Sequence, residues 1–503
     1  MAQYLAALDQ GTTSSRAIVF SLEGRPKATA AFEFTQHYPR PGWVEHDPQD
    51  LISSQVEALK KAVVQAGIKA RDIAALGIAN QRETTLIWER ESGEPVYNAI
   101  VWQCRRTAGY IDQLKQAGHA QLIQEKTGLL PDAYFSASKI RWILDELNLQ
   151  ARAEAGELCF GTVDSFLAFH LLEGRPHVTD ATNASRTMLF NLATQDWDDE
   201  LLKIFGVPRA LLPEVRDTAG PFGILREDIL GVPLPVCAMA GDQQAALFGQ
   251  ACFAPGEVKN TYGTGCFMLM NAGETPPVPE GGLLATTAWR ISNRATYALE
   301  GSVFTAGAAI QWLRDEMGII QDAAQSQTLA ESVADTQGVY LVPAFTGLGA
   351  PHWEMYARGS VTGLTRGANK AHLARAALEA IAYQSDDLLK MMAATLGRRP
   401  QAMKVDGGAT ANGFLMQFQA DISGLRVLRP AVRETTALGA ALLAGLGAGV
   451  FKSPQEAAAR WQLEREFVPG MADDTRQTLL SGWERAVKTT LFEAACRQEA
   501  PCS

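Results

Sequence analysis

The sequence predicts an α/β protein of two domains whose functional residues follow the carboxyl ends of parallel strands. Short apolar runs of five to seven residues recur along the chain, and each ends in polar residues beside a glycine or an amide. Segments with the apolar spacing of helices separate these runs. A chain of 503 residues accommodates two α/β domains of about 250 residues each.

Three runs in the first half are predicted to be buried parallel strands. Residues 4–8 lead to Asp9, residues 73–79 lead to Arg82, and residues 236–240 lead to Asp242. Parallel α/β sheets place their chemistry at the carboxyl edge of the strands. The polar residues after these runs are therefore candidate site residues.

The second half shows the same alternation of strand and helix patterns. Residues 402–405 are predicted to form a strand that ends at Asp406, and residues 371–392 and 412–422 are predicted to be helices. The core face of the first helix is marked by apolar residues at helical spacing, namely Leu373, Ala377, Ile381 and Leu388.

Two turns rich in glycine and threonine indicate a duplicated domain. Residues 11–14 and residues 263–265 each separate two β-prone segments. We place the boundary near residues 250–255, which gives domains of residues 1–251 and 252–503. No long linker rich in Pro, Ser or Gly separates the halves, so the two domains are expected to pack closely.

Composition and charge exclude several classes of protein. The charged residues, with a net charge of −10, are dispersed along the chain. No cluster of basic residues predicts binding to nucleic acid. Seven scattered cysteines predict reduced, mostly buried thiols rather than a disulfide framework, and the seven histidines form no zinc motif. No secretory signal is present, and the longest apolar stretch, residues 437–451, is too short to span a bilayer. A cytoplasmic protein without membrane insertion is expected.

The first turn has the composition of a phosphate cradle. Thr12, Thr13 and Ser14 offer hydroxyl groups and consecutive backbone amides after Gly11, and Arg16 adds a positive charge. A plain hairpin turn is the alternative. A second such turn, around Thr264, favours two cradles that share a triphosphate. Walker, dinucleotide-binding and protein-kinase motifs are absent from the sequence.

Two aspartates meet the needs of phosphoryl transfer, which uses one carboxylate to position a metal ion and another to accept the proton of the attacking hydroxyl. Asp9 and Asp242 each follow an apolar run. The alternative for Asp242 is a helix N-cap, since a helical pattern comes after it.

The dipeptide Arg82-Glu83 could donate to and accept from the hydroxyls of a small polyol. A solvated surface ion pair is the alternative. Trp102 and Phe267 could supply apolar walls against the carbon–hydrogen faces of such a ligand, although aromatic residues also serve simply as core.

Longer motifs make the chain resemble the FGGY carbohydrate kinases over nearly its whole length. The two family signatures are present as YFSASKIRWILDE at residues 134–146 and GSVTGLTRGANKAHLARAALE at residues 359–379. Members that act on glycerol are indicated by PGWVEHDP, NQRETT, NAIVWQCRRT, TNASRTMLFN, AGDQQAALFGQ, NTYGTGCFMLMN and VPAFTGLGAP.

The resemblance implies two actin-like, ribonuclease-H-like ATPase domains with an active-site cleft between them. It also implies transfer of a phosphoryl group from ATP to glycerol, giving sn-glycerol 3-phosphate in glycerol catabolism, with Mg²⁺ as cofactor. A homodimer or homotetramer is expected.

The resemblance also assigns roles to individual residues. Asp242 is the implied general base, and Asp9 helps to hold Mg²⁺. The implied glycerol-binding residues are Arg82, Glu83, Tyr134, Asp242 and Gln243, with Trp102 and Phe267 packing on the carbon backbone. The implied nucleotide-binding residues are Thr12, Thr13, Ser14, Arg16, Thr264, Gly307, Gln311, Gly408 and Asn412.

Two departures from the family pattern concern regulation and nucleotide contacts. Residues 218–237 contain neither the Gly-Arg loop that binds fructose 1,6-bisphosphate in some members nor the phosphorylatable histidine of others. The family's VANN motif is Thr410-Ala411-Asn412-Gly413 here, which keeps Asn412 but loses the neighbouring asparagine. The alternative functions are another polyol or pentulose kinase of this family and a non-catalytic, nucleotide-gated scaffold with the actin fold.

Overall fold

A computed structural model describes residues 3–499 of the chain. The strands are β1 (Tyr4–Gln10), β2 (Ser14–Ser21), β3 (Pro26–Glu33), β4 (Glu45–His46), β5 (Ile73–Asn80), β6 (Leu86–Glu89), β7 (Ala99–Ile100), β8 (Leu158–Gly161), β9 (Val178–Asp180), β10 (Phe190–Asn191), β11 (Asp196–Trp197), β12 (Glu214–Arg216), β13 (Ala219–Leu225), β14 (Leu234–Gly241), β15 (Val258–Tyr262), β16 (Cys266–Gly273), β17 (Leu284–Ile291), β18 (Arg294–Val303), β19 (Tyr340–Val342), β20 (Ser360–Thr362), β21 (Ala402–Asp406), β22 (Arg426–Pro430) and β23 (Leu463–Phe467).

The helices connect and cover these strands. They are α1 (Pro48–Ala66), α2 (Ala108–Gln116), α3 (Ala120–Thr127), α4 (Ser136–Glu146), α5 (Gln150–Glu154), α6 (Val163–Leu171), α7 (Ala181–Ala184), α8 (Asp199–Phe205), α9 (Glu227–Leu230), α10 (Asp242–Gly249), α11 (Gly307–Asp315), α12 (Ala323–Glu331), α13 (Lys370–Leu396), α14 (Gly413–Ser423), α15 (Thr435–Gly447), α16 (Pro454–Ala458) and α17 (Asp473–Glu499). Short 3₁₀ turns lie at Ala70–Asp72, Arg209–Leu211 and Gly408–Ala411.

The predicted elements are confirmed. The apolar runs at residues 4–8, 73–79, 236–240 and 402–405 lie within β1, β5, β14 and β21, and the two predicted helices correspond to α13 and α14. Helix α13 begins where the Asn369 side chain accepts a hydrogen bond from the amide of Ala371, and it ends at Gly397 in the left-handed conformation.

Two large sheets share one arrangement of five strands. In the first sheet, of order β13-β14-β5-β1-β2-β3, strands β1, β2 and β3 are antiparallel neighbours, whereas β1, β5 and β14 are parallel. The second sheet has the order β17-β18-β16-β15-β21-β22-β23, with β15, β16 and β18 antiparallel and β15, β21 and β22 parallel. The repeated arrangement agrees with the duplication predicted from the two Gly/Thr-rich turns.

Helix α15, from the second half of the chain, packs against the first sheet and against α10. This contact needs glycine on both sides, because a Cβ at Gly439 would overlap the carbonyl group of Ala245 and a Cβ at Gly249 would overlap the carbonyl oxygen of Thr435. The two halves therefore meet backbone to backbone beside the helix that begins at Asp242, as the absence of a linker predicts.

A second contact between the halves is made by strands β17 and β18. Their residues Leu284, Ala285 and Tyr297 are buried in an apolar cluster that otherwise consists of residues from the first half, such as Ile140 and Phe205. The edge of the second sheet is thereby anchored in the core of the first half. The predicted boundary between residues 251 and 252 stays a prediction. Side chains that follow it in the sequence pack in a core formed mainly by residues that precede it.

The free thiols agree with the cysteine pattern. Cys104, Cys159, Cys237, Cys252 and Cys266 are buried and unpaired, and Cys496 is free and exposed. Cys502 lies outside the described residues. No helix within residues 3–499 has both the length and the apolar character needed to cross a membrane.

Candidate active site

The carboxyl edge of the first sheet brings the predicted site residues together. Strands β1, β5 and β14 are adjacent and in register, with Asp9 beside Ala79 and Gly241 beside Asn80. Asp9 lies at the end of β1, Arg82 and Glu83 follow β5, and Asp242 follows β14. Three separate segments of sequence thus meet at one edge, as the strand pattern predicts.

Arg82 and Glu83 are buried, so the alternative of a solvated surface pair is wrong. They are 3% and 1% exposed, respectively. The Nε atom of Arg82 lies 3.3 Å from Oδ1 of Asp242 and 3.8 Å from Oε1 of Glu83. Glu83 has a φ of +61°, a left-handed conformation that costs free energy for a residue with a side chain and that concentrates at functional sites.

Two residues that sequence reasoning missed complete this cluster. Glu300 of β18 accepts hydrogen bonds from both terminal nitrogens of Arg82, at 2.5 and 3.0 Å, and from Nη2 of Arg186 at 2.9 Å. The Nε atom of Arg186 donates to Glu83 at 2.6 Å. A lone glutamate in the apolar run that surrounds Glu300 is a signal for a buried ion pair, but the sequence does not reveal its partners.

The charges in this cluster stabilise one another against burial. Burial alone would lower the pKa of Arg82, but the charges of Glu300 and Glu83 raise it above its ordinary value. Burial would likewise raise the pKa of Glu300, yet Arg186 and Arg82 lower it to about 2. Burial raises the pKa of Glu83 in spite of both arginines. Arg82 and Glu300 are therefore charged at neutral pH.

Tyr134 and Trp102 form an aromatic corner beside this cluster. Their rings meet edge to face with centroids 5.4 Å apart, and both side chains are half-buried. Burial raises the pKa of Tyr134, so its hydroxyl keeps its proton. The buried Lys139 holds the preceding loop, because its Nζ donates to the carbonyl oxygens of Ala133, Tyr134 and Phe135.

Asp242 is the first residue of α10, and its carboxylate is 30% exposed. Its Oδ1 accepts a 2.7 Å bond from the amide of Gln243, whereas Oδ2 has only a 3.3 Å contact with Nε2 of Gln243. Gly241 precedes it, and a Cβ there would come within 2.7 Å of the Arg82 side chain. The fold thus fixes one oxygen of Asp242 and leaves the other with a single weak partner.

Gln243 and Phe267 are linked through the buried Lys259. The Nζ atom of Lys259 donates to Oε1 of Gln243 at 2.5 Å and to the carbonyl oxygen of Phe267 at 3.3 Å. Phe267 lies on β16 and is half-buried. Lys259 of the second half therefore connects both predicted substrate residues.

The first Gly/Thr-rich segment is the hairpin turn between β1 and β2, closed by a bond from the amide of Gly11 to the carbonyl oxygen of Ser14. Thr13 is exposed, and Thr12 and Ser14 are half-buried. Oγ1 of Thr12 accepts a 3.0 Å bond from the indole of Trp102, which joins this turn to the aromatic corner.

Asp9 and Arg16 lie at the base of this turn. Nη1 of Arg16 is 3.9 Å from Oδ2 of Asp9 and also pairs with Glu434 of the second half. Burial raises the pKa of Asp9 to about 7, although the charge of Arg16 lowers it; the charges of Asp242 and Glu434 raise it further. A cation beside Asp9 would stabilise the charged form of this buried carboxylate, so the residue fits a role in holding Mg²⁺. Within residues 3–499, no group of three or more His, Cys, Asp or Glu side chains is arranged to hold a metal ion.

The second Gly/Thr-rich turn opens onto a cavity of about 500 Å³. This turn connects β15 to β16, and its Gly263 carbonyl accepts a 3.0 Å bond from the amide of Gly307, where α11 begins. All five nucleotide residues predicted in the second half line the cavity, namely Thr264, Gly307, Gln311, Gly408 and Asn412.

The cavity combines apolar walls with a few polar groups. Ile310, Leu378, Ile381 and Leu415 are among its lining residues. Asn412 caps α14 by accepting from the amide of Leu415, and its Nδ2 donates to Ser326. The loss of the family's neighbouring asparagine therefore leaves Asn412 in a structured position. Apolar walls with a few oriented polar groups suit a flat heterocycle with a polar tail.

Comparisons with known proteins give a consistent result over nearly the whole chain. Residues 4–249 match the N-terminal domain of the FGGY family of carbohydrate kinases, and residues 258–448 match its C-terminal domain. The chain is 56% identical over 490 residues to glycerol kinase 2 of Thermotoga maritima, covering 97% of this chain and 99% of that one. It is also 56% identical over 492 residues to the glycerol kinase of Caldanaerobacter subterraneus, covering 98% and 99%.

Solved structures extend the likeness to the fold. The crystal structure of Plasmodium falciparum glycerol kinase with ADP superposes with a TM-score of 0.91 at 34% identity, covering 97% of this chain and 98% of that one. A ligand-bound xylulose kinase from Lactobacillus acidophilus superposes with a TM-score of 0.85 at 22% identity, covering 97% and 98%, which shows a shared fold.

Proposed function

The chain belongs to the FGGY family of carbohydrate kinases, and we propose that it transfers the γ-phosphoryl group of ATP to glycerol with Asp242 as the general base. The product is sn-glycerol 3-phosphate. ATP follows from membership of a kinase family and from the ADP in the glycerol kinase structure described above. The near full-length identity of about 56% to glycerol kinases supports glycerol as the acceptor.

The observation that carries the catalytic proposal is the environment of Asp242. Its carboxylate reaches solvent at the carboxyl edge of the first sheet, 3.3 Å from the Nε atom of Arg82. A general base must lie within hydrogen-bond reach of the proton that it removes. Asp242 meets this requirement for a hydroxyl held by the neighbouring Arg82, and its charge also raises the pKa of Asp9, the proposed metal-holding carboxylate.

In the proposed reaction, Oδ2 of Asp242 accepts the proton of the terminal glycerol hydroxyl. The hydroxyl oxygen attacks the γ-phosphorus in line with the β–γ bridging oxygen, which leaves with ADP. The amide of Gln243 and Nε of Arg82 hold Oδ1, which orients the carboxylate. Since phosphoryl transfer has a loose transition state, catalysis rests mainly on positioning and charge neutralisation. Mg²⁺, held by the phosphate oxygens with the help of Asp9, would supply part of that neutralisation when bound.

Glycerol recognition is proposed to combine donors, acceptors and an apolar wall. Arg82 donates to a glycerol hydroxyl, Glu83 accepts from one, and Gln243 and the Tyr134 hydroxyl complete the set. Trp102 and Phe267 face the carbon backbone. A site that pairs every hydroxyl rejects analogues that lack one, because buried polar groups would then lose their partners.

Nucleotide binding is proposed for the two hairpin turns and the cavity. The base and ribose occupy the cavity lined by Gly307, Gln311, Gly408 and Asn412, and Thr264 marks its phosphate end. The β–γ phosphates extend toward the β1–β2 turn, where Thr12, Thr13 and Ser14 supply hydroxyls and amides and Arg16 supplies charge. This direction brings the γ-phosphoryl group to Asp242.

A coupled assay of ADP release with a panel of acceptors tests the function. The panel contains glycerol, dihydroxyacetone, erythritol, ribulose and xylulose with Mg-ATP. We expect glycerol to give the highest kcat/KM. Turnover of a pentulose without turnover of glycerol would support the rival kinase activity, and nucleotide-dependent polymerisation without turnover would support the scaffold.

The proposal also includes the setting in which the enzyme works. Use of ATP and the free thiols of Cys104, Cys159 and Cys266 favour the cytoplasm. Large apolar side chains exposed at Met355, Tyr356 and Leu364 favour assembly into a homodimer or homotetramer. Light scattering coupled to size-exclusion chromatography measures that assembly directly.

A further inference from the structure

Glu300 connects the second half of the chain to the polyol residues of the first half. It lies on β18, is 1% exposed, and accepts three hydrogen bonds from two arginines of the first half. Arg186 in turn donates to Glu83. The four side chains form an alternating sequence of charges, Arg82, Glu300, Arg186 and Glu83, and we call it the charge tetrad.

The geometry of the charge tetrad restricts Arg82 strongly. Two parallel bonds from the planar guanidinium to one carboxylate fix both its position and its rotation. A third bond, from Nη1 to Oε1 of the buried Gln244, adds to this restraint. The Nε edge of Arg82 is then directed at Asp242. Glu300, with Gln244, therefore fixes the orientation of the Arg82 guanidinium beside Asp242.

Arg186 restrains Glu83 in a comparable way. Glu83 occupies a left-handed backbone conformation, and its Oε1 accepts a 2.6 Å bond from Nε of Arg186. Its carbonyl oxygen also accepts bonds from the hydroxyls of Thr85 and Ser136. The strained residue is thus held at both its backbone and its side chain.

We infer that Glu300 is a positioning residue for the polyol site, orienting Arg82 directly and Glu83 through Arg186. The inference rests on the proposed function, in which Arg82 and Glu83 bind the acceptor. It also implies that the acceptor site is assembled from both halves of the chain, since β18 belongs to the second sheet.

Strand β18 also leads toward the nucleotide cavity. It pairs with β16 through Glu300 opposite Leu269 and Val303 opposite Cys266, and the chain continues from β18 to Gly307 of the cavity. The contacts at that end are made by backbone groups, such as the amide of Gly307 with the carbonyl of Gly263. A change in the Glu300 side chain should therefore weaken binding of the acceptor and leave binding of the nucleotide unchanged.

The variant Glu300→Gln tests the inference while preserving side-chain shape. The amide has one acceptor oxygen, and its NH₂ group would oppose a guanidinium donor, so Arg82 must rotate or shift. Misplacement of a binding group by about 1 Å costs on the order of 100-fold in rate. We expect kcat/KM for glycerol to fall about 100-fold, with most of the change in KM, while the Kd for ADP changes by less than about threefold.

The matched control is Asp217→Asn. Asp217 of the first half pairs with Arg290 of β17 at 2.7 Å, so it is also a carboxylate–guanidinium contact between the halves, on the strand next to β18. It lies outside the proposed site. We expect this variant to keep kcat/KM for glycerol within about threefold of the wild type.

Two results would overturn the inference: Glu300→Gln with kcat/KM for glycerol within about threefold of the wild type, or equal losses in Glu300→Gln and Asp217→Asn. If Glu300→Gln does not fold, Glu300→Asp replaces it, since it keeps the charge and withdraws the carboxylate by one methylene. A loss of about tenfold or more is then expected, and wild-type kinetics would reject the idea. If the wild type prefers a pentulose, the proposed function fails, and the same comparison is made with that acceptor.

Discussion

Replacement of the proposed general base is the most informative single substitution in the site. In Asp242→Asn the amide oxygen can occupy the position of Oδ1 and keep the bonds from the amide of Gln243 and from Arg82. The NH₂ group then occupies the position of Oδ2, where the carboxylate would accept the proton. The substitution preserves the local geometry and removes the proton acceptor.

The size of the effect follows from these contacts. A positioned general base contributes about 10²–10⁴-fold to the rate, which corresponds to about 3–5 kcal/mol of activation free energy. The NH₂ group of the substituted side chain would also face the Nε2 group of Gln243, which in the wild type lies 3.3 Å from Oδ2 of Asp242, so that two donors oppose each other. This repulsion should raise KM for glycerol only modestly, because Gln243 is also held by Lys259.

Steady-state kinetics with glycerol and Mg-ATP, together with calorimetric titration of ADP, measure both consequences. We expect kcat to fall by at least about 100-fold while the Kd for ADP stays within about threefold, since the cavity residues are unchanged. Asp217→Asn again serves as the control for loss of a carboxylate. A kcat within about tenfold of the wild type would refute the assignment of Asp242 as the base.

Two further predictions concern stability. Because burial raises the pKa of Asp9 from 3.8 to about 7, the folded protein binds a proton that the unfolded chain has released between those values, and stability falls as pH rises through this range. Asp9→Asn should therefore raise Tm at pH 8 while lowering turnover; an equal shift in Tm at pH 4 would contradict this reasoning. Gly439→Ala should cost about 1–3 kcal/mol or more in urea unfolding, because its Cβ would overlap the backbone of Ala245. Gly109→Ala in α2, where a Cβ meets open space, should be neutral or stabilising by up to ~1 kcal/mol, and equal losses in the two glycine variants would reject the packing argument.

The ends of the strands could be predicted because the length of each apolar run and the polar residues that follow it are local features of the sequence. Apolar runs that end in Asp9 and Asp242 have the pattern of buried parallel strands, and the carboxyl edge of such a sheet brings together the residues after each strand. The nucleotide cavity was predictable in a different way. Thr264, Gly307 and Asn412 are far apart in sequence, and they were assigned by resemblance to a family rather than by local pattern.

The partners of the buried charges could not be predicted. Glu300 lies 218 residues from Arg82 in the sequence, and their pairing depends on how the edge of the second sheet packs into the first half. The predicted acceptor residues Arg82, Glu83, Tyr134, Asp242 and Gln243 all precede the predicted domain boundary, but the contacts that hold them cross it. In the structure, the second half contacts three of them directly, Arg82 through Glu300, Gln243 through Lys259 and the Asp242 carbonyl through Thr436. It also reaches Glu83 through Arg186.

The stereochemistry of the product tests the central claim most directly. Glycerol is prochiral, so a site that binds all its hydroxyls phosphorylates the hydroxyl group of only one of the two terminal carbons. After incubation of the wild type with glycerol and Mg-ATP, ³¹P NMR and a stereospecific dehydrogenase measure the amount and configuration of the product. We predict one sn-glycerol 3-phosphate for each ATP consumed. A racemic product, or consumption of ATP without formation of glycerol phosphate, would contradict the account.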